Sequence, residues 1–333
     1  MYIIESYSLA VIFCFITMLC WGSWANTQKL AASTWRFELF YWDYVIGIVL
    51  LSLVFGFTLG SNGSGGRSFV ADLQQAELTS YLKAFLGGVI FNLANILIVA
   101  AIAIAGMAVA FPVGIGLALV LGVLINYFSE QQGDPVFLFA GVGLVTVAIV
   151  LDALAYRKLS NQNQKPPSKG LRLALLGGLL MSLFYFFVQQ SMSLNFQNPT
   201  SGKFTPYSAV FVFALGILVS NFLFNTILMR KPVEGDPVSY RMYFAGKPSI
   251  HLVGILGGVI WCVGMSFSII AAEQAGPAIS YGLGQGATMV AAFWGVFIWK
   301  EFKFAPKGTN GLIAAMFGLF LAGLILIIVA GNQ

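Results

Sequence analysis

Sustained apolar runs bounded by charge, glycine or proline recur ten times along the chain, each long enough to cross a bilayer as a helix. They predict helices near 7-28, 38-60, 82-105, 107-128, 135-156, 171-194, 207-229, 249-273, 277-299 and 309-331. The polar breaks between them are short. The longest are 61-81, rich in Gly and Ser ahead of Asp72, Gln74 and Gln75; 157-170, with Arg157, Lys158, Lys165, Pro166, Pro167 and Lys169; and 230-248. The first run lacks a basic leader and an Ala-x-Ala cleavage pattern and continues through Trp21, Trp24 and Asn26, which predicts a membrane helix rather than a signal peptide.

An internal repeat organises these runs. Gly87-Gly88-Val89-Ile90 recurs 170 residues later as Gly257-Gly258-Val259-Ile260, and at the same offset Ala101, Ala105-Gly106, Ala108, Gly114 and Gly116 match Ala271, Ala275-Gly276, Ala278, Gly284 and Gly286. The expected plan is a five-helix repeat over 1-156, a basic linker over 157-170 and a second five-helix repeat over 171-333. An odd number of helices per repeat turns the second upside down, the inverted-repeat plan of secondary transporters. Connections after the odd-numbered helices hold 14 of the 17 Lys and Arg residues, and the other side holds Arg67, Lys83 and Lys203. That asymmetry predicts a cytoplasmic linker and both termini outside.

Composition narrows the class. Apolar residues make up 59% of the chain and charged residues 9%, against about 25% charged in a soluble domain. A water-soluble enzyme, a nucleic-acid reader and a secreted disulfide scaffold are thereby excluded, and the +5 charge is the topological signal of the basic loops. Cys14, Cys20 and Cys262 lie inside apolar runs without metal-ligand spacing. No zinc spacing, nucleophile turn or phosphate loop is present, so no enzyme activity, metal or cofactor is expected. The energy source is an ion gradient or the solute's own gradient, and the partners are a small-molecule substrate and the lipid bilayer.

The candidate site comes from polar groups at membrane depth. Pro112, Gly114 and Gly116 interrupt helix 4 where Gly282, Gly284, Gln285 and Gly286 interrupt helix 9, and paired interruptions of this kind point to a substrate site or to tight packing. Asn92 and Asn95 share one face of helix 3, and helix 8 offers Trp261 at the equivalent depth. Trp21, Trp24 and Gln28 form a stripe on helix 1 with Asn26 beside it, and helix 6 carries Gln189 and Gln190. Amides facing aromatic rings suit a neutral hydroxylated solute, with paired donors and acceptors and an apolar face. Buried amides also serve to join helices. Among the acidic residues Asp43 is the leading proton-coupling candidate and Glu273 the next. The alternative for Asp43 is a fixed ion pair with Lys29 or Arg36. His251, at the start of helix 8, is expected at the interface.

At these residues the chain resembles the drug/metabolite transporter superfamily, ten-helix carriers built from two five-helix repeats. Cys20-Trp21-Gly22-Ser23-Trp24 is similar to the signature ending the first helix of the bacterial glucose/ribose uptake branch. Gly257-Gly258-Val259-Ile260-Trp261 and Lys300-Glu301-Phe302 are similar to segments of the rhamnose-proton symporter. Met1-Tyr2-Ile3-Ile4-Glu5-Ser6 and Tyr41-Trp42-Asp43-Tyr44 resemble plant ureide permeases, whose phosphate-loop-like linker motif is absent from 157-170. The resemblance implies uptake of a small neutral hydroxylated or ureido metabolite with a proton. The leading expectation is a proton-coupled importer of a monosaccharide, a pentose such as ribose. The alternatives are uptake of nucleobases, nucleosides or ureides, and export of drugs or metabolites.

Overall fold

A computed structural model describes residues 1-32, 34-63, 65-160 and 168-332; half of the expected basic linker, including Lys165, lies outside the described residues. Ten long apolar helices dominate it: α1 (Tyr7–Ala31), α2 (Phe37–Phe57), α3 (Leu78–Ala105), α4 (Pro112–Ser129), α5 (Pro135–Leu159), α6 (Ser168–Ser191), α7 (Pro206–Arg230), α8 (Pro248–Ala275), α9 (Pro277–Ile298) and α10 (Thr309–Ala330). The fold is all-α, and no β-strand is formed among the described residues. Each expected span is present, with ends displaced by a few residues.

Local sequence sets the boundaries. Pro206, Pro248 and Pro277 occupy the first turns of α7, α8 and α9, where a missing N–H costs nothing. α3 and α8, each 28 residues long, stop at Gly106 and Gly276, whose φ angles of 77° and 81° exclude a side chain without strain. These two glycines are partners at the 170-residue offset of the sequence repeat.

Packing follows the same pairing. α3 lies on α6 and α7, and α8 lies on α1 and α2. A Cβ on Gly88 would overlap the Phe213 carbonyl, and one on the equivalent Gly258 would overlap the Tyr44 carbonyl. Small residues are what let two helix backbones approach this closely in lipid. α5 and α10 pack on each other at the edge through Gly141 and Gly323, each meeting the other's carbonyl oxygen, at 2.6 and 2.7 Å from a built Cβ. These reciprocal contacts are consistent with an inverted repeat. The core between α2, α3, α7 and α8 is aromatic: Trp261 stands with its ring centre 4.5 Å from Phe91, 6.1 Å from Phe213 and 6.3 Å from Tyr44. Leu50, Val54, Phe222 and Leu223 point outward, as a lipid-facing surface demands.

The two expected interruptions are present. Before α4 straightens at Gly116, the chain makes a short helix, Met107–Ala110, and a π turn, Phe111–Ile115. α9 breaks at Gln285-Gly286 and ends in a π turn, Trp294–Ile298. Both breaks are packed. Gly178 sits against the Gly114 backbone, while Gly284 and Gly286 face Trp21 and Met18 of α1.

Candidate functional site

Polar side chains collect in three places: a layer across the middle and a network at each end. The end that carries most of the Lys and Arg residues is termed the basic face, and the other the opposite face.

In the middle layer Tyr41 of α2 links the two α3 amides. Its hydroxyl donates to Asn92 Oδ1 at 2.9 Å and accepts from Asn95 Nδ2 at 3.1 Å, while Asn92 Nδ2 donates to Ser220 Oγ of α7 at 2.8 Å. Asn92 is therefore engaged at both ends by neighbouring helices. Trp21 stacks on Trp261 with ring centres 6.0 Å apart, and its buried Nε1 has no partner. Closer to the opposite face, Tyr185, Ser268, Ser280 and Cys14 form a fully buried hydroxyl cluster joining α6, α8, α9 and α1.

One turn beyond Tyr185, Gln189 borders a polar cavity of about 180 Å³ toward the opposite face. Asn126, Ser129, Glu130, Gln190, Ser193 and Lys203 are among the other residues of its wall. Gln190 Nε2 donates to Ser129 Oγ at 2.7 Å. Gln189 is different: it lies close to the Tyr185 phenol, outside hydrogen-bond geometry, and both its Oε1 and Nε2 are buried without a partner. Asn126 donates to the Gly122 carbonyl at 2.7 Å, and its Oδ1 is likewise buried and unpartnered. A buried polar group without a partner costs about 1–3 kcal/mol, so the Gln189 amide and the Asn126 Oδ1 on one cavity wall need a reason beyond packing. Asn126 is absent from the sequence-derived candidates. The signal was available, because it is the one polar side chain between Gly116 and Tyr127.

The remaining candidates are dispersed. Trp24 packs on Tyr44, with ring centres 4.7 Å apart. Asn26 accepts from Trp299 Nε1 at 2.6 Å and donates to the Ser23 carbonyl, tying α1 to the end of α9 at the basic face. Gln28 lies on the same stretch of α1, and Gln285 is buried at the α9 break.

At the basic face Asp43 is fully buried and accepts from three segments. Trp35 Nε1 reaches Oδ2 at 3.1 Å, the Tyr243 hydroxyl reaches Oδ1 at 2.7 Å, and His251 Nδ1 lies 2.8 Å from Oδ1. Gly254 leaves room for this carboxylate, since a Cβ there would stand 3.1 Å from Oδ2. The expected alternative partners are elsewhere: Lys29 pairs with Glu301 at 2.5 Å, and Arg36 pairs with Glu38 at 2.7 Å. His251 is the basic partner that sequence reasoning left at the interface. Burial first, and then the Asp43 carboxylate, push the Tyr243 phenol well above its ordinary value, so it remains a neutral donor.

At the opposite face Asp72 is equally buried. Thr205 donates to Oδ2 through N–H and hydroxyl at 2.7 and 2.9 Å, and Arg67 Nε donates to Oδ1 at 2.9 Å. Nearby, Glu273 Oε1 accepts from the Phe196 N–H at 2.7 Å while Oε2 is buried and unpartnered.

Ten spanning helices with their polar groups turned inward make this a multi-pass membrane protein. Its lineage is also defined: residues 40-169 and 165-330 match the Ureide permease family, and the chain belongs to it. It is accordingly a membrane transporter. Ureide permease 4 of Arabidopsis thaliana is 22% identical, with the whole of both chains covered. Ureide permease 5 of the same plant is 23% identical over all of this chain and 96% of its own. Probable ureide permease A3 of Vigna unguiculata is 22% identical over 92% and 99%. A crystal structure of a protein only 16% identical superposes with a TM-score of 0.62 over 96% of each chain, a likeness of fold alone. Of the resemblances noted in the sequence, the plant permease one defines the family. The bacterial sugar-uptake branch has no such support.

Proposed function

We propose that the chain carries small neutral solutes bearing ureido or amide groups across the membrane by alternating access. The observation that carries this reading is the Gln189 amide, buried on the wall of a polar cavity with donor and acceptor both free. A carboxamide offers an acceptor and a donor side by side, the complement of the C=O and N–H of a ureido group, and Asn126 Oδ1 adds a second acceptor. Sugar hydroxyls would also satisfy these groups. The names of the relatives favour a ureide over the pentose.

In this reading Gln189, Gln190 and Asn126 hold the solute when the cavity faces the side on which it opens here. Trp21, Asn92, Asn95, Trp261 and Gln285 line the path beyond, and Trp24, Asn26 and Gln28 line its exit. The segments 1-156 and 171-333 act as inverted repeats that rock about the aromatic core. Asp43 is the carboxyl through which a proton is coupled, with Glu273 as the acidic group nearer the opposite face. Ligand-dependent stabilisation tests the solute class, because a compound that binds only the folded carrier raises its unfolding temperature. A cyclic ureide such as hydantoin should stabilise the purified protein in a concentration-dependent way and ribose should not; the reverse ranking would return the sugar reading to first place.

A further inference from the structure

A polar network ties helix ends together at each face of the bundle, and parts of the two networks occupy equivalent places in the repeat. Short helices Phe69–Gln75 and Tyr240–Phe244 precede α3 and α8. The 170-residue offset pairs Thr205 with Trp35, each just ahead of its helix, and Tyr81 with His251, each in the first turn of α3 or α8. At the opposite face Thr205 donates to Asp72, and the Tyr81 hydroxyl donates to the Leu73 carbonyl of the short helix at 2.6 Å. At the basic face Trp35 donates to Asp43, and the His251 ring lies 4.8 Å from Tyr243 of the other short helix. The scaffold positions are shared, but the carboxylates are not: Asp72 lies on the short helix before α3, and Asp43 lies on α2. The cation differs: Arg67 at one end, His251 at the other.

That difference has a chemical consequence. Arginine keeps its charge at every relevant pH, whereas histidine changes charge between about pH 5 and 8. We propose that Asp43, His251, Tyr243 and Trp35 form a proton-binding latch that holds the basic face closed while His251 is protonated and releases it when that proton leaves, with Arg67–Asp72–Thr205 as its fixed-charge counterpart. This inference rests on alternating access and not on the identity of the solute.

The geometry gives the proton a route. The Asp43 side chain is 1% exposed, but that of His251 is 21% exposed. His251 Nδ1 is the atom at Asp43, so Nε2, which lies beside Gly246, is the ring nitrogen left to take up or lose the proton. Loss of the Nε2 proton keeps the Nδ1–H bond and removes the charge. A buried carboxylate is then left with neutral donors alone, a state that favours any conformation in which it meets water. Lys247, one turn before His251, and Arg241, on the short helix with Tyr243, are exposed cations on the elements packed here. Tyr243 is the remaining titratable group in contact with Asp43. Arg36 on the α1–α2 connection is taken up by Glu38 and by the Glu234 and Asp236 carbonyls, and Lys29 is held by Glu301. From α7, Asn225 approaches only the Glu38 backbone.

Cysteine accessibility tests this without any solute. In a chain with the three native cysteines replaced, Thr27→Cys reports on the basic face, where Thr27 is buried against Gly257. Ser208→Cys, buried near the opposite latch, serves as the control. With every rate taken relative to that of the same cysteine in denatured protein at the same pH, which removes the rise in thiolate, alkylation of Thr27→Cys should speed up several-fold between about pH 6 and pH 8, and that of Ser208→Cys should not. His251→Gln should make Thr27→Cys fast at both pH values. Tyr243→Phe, which removes a donor and no charge, should raise the rate at both while keeping the pH dependence. A pH-independent rate in the parent, or a pH dependence that survives His251→Gln, would overturn the latch and leave the ureide assignment untouched. Absence of ureide binding with the pH response intact would do the opposite. Should His251→Gln fail to fold, the parent and Tyr243→Phe profiles decide.

Discussion

Replacing Gln189 by leucine should move stability and affinity in opposite directions. The wild-type side chain is 6% exposed, and neither end of its amide has a partner. Leucine has similar bulk and no polar atoms, so Gln189→Leu removes a desolvation cost of about 1–3 kcal/mol and should raise the unfolding temperature of the solute-free protein by ~2 °C or more. The same change deletes one donor and one acceptor for a ureido group. Two hydrogen bonds of about 0.5–1.5 kcal/mol each amount to a loss of about 1–3 kcal/mol, or a ~5- to 150-fold weaker dissociation constant. Scanning fluorimetry of purified protein, with and without a titrated cyclic ureide, reads both quantities in one experiment. A destabilised Gln189→Leu with unchanged affinity would assign the amide to the packing of α6 and refute the reasoning.

Further predictions bear on coupling, the repeat and orientation. Asp43→Asn should retain solute exchange in counterflow and fail to concentrate solute under an imposed pH gradient, because no carboxylate is left to bind and release the proton; full accumulation by this variant would move the coupling role to Glu273. Gly88→Ala and Gly258→Ala should each destabilise by about 1–3 kcal/mol through overlap with the Phe213 and Tyr44 carbonyls, measured by thermal unfolding. Gly143→Ala should be neutral because nothing lies within 4 Å of its Cβ position. If the Lys and Arg bias sets insertion, a cysteine at exposed Phe244 should be labelled only from the cytoplasm and one at exposed Asn62 only from outside.

The helical frame was legible because a bilayer imposes one rule, roughly 20 apolar residues per span, and the chain obeys it ten times. The breaks in α4 and α9 were legible as well, since glycine and proline act through the local backbone. Partner choice was not. Asp43 and His251 are 208 residues apart, and nothing in a single sequence says that α8 brings them together rather than leaving Asp43 to nearby Lys29 or Arg36. The same holds for Tyr41, which engages Asn92 and Asn95 from another helix. A lone amide in an apolar helix, such as Asn126, carries no signal that separates a site from helix-joining glue. Only its position on the cavity wall beside Gln189 sets it apart.

Counterflow into proteoliposomes containing the purified full chain tests the central claim most directly. Vesicles preloaded with unlabelled hydantoin should transiently accumulate labelled hydantoin from the medium, a signal that needs a working carrier and no ion gradient. Competition by other neutral ureido compounds should suppress it, and a large excess of ribose should leave it unchanged. Accumulation blocked by ribose and indifferent to ureido compounds, or no counterflow of any ureide by folded protein, would contradict the account.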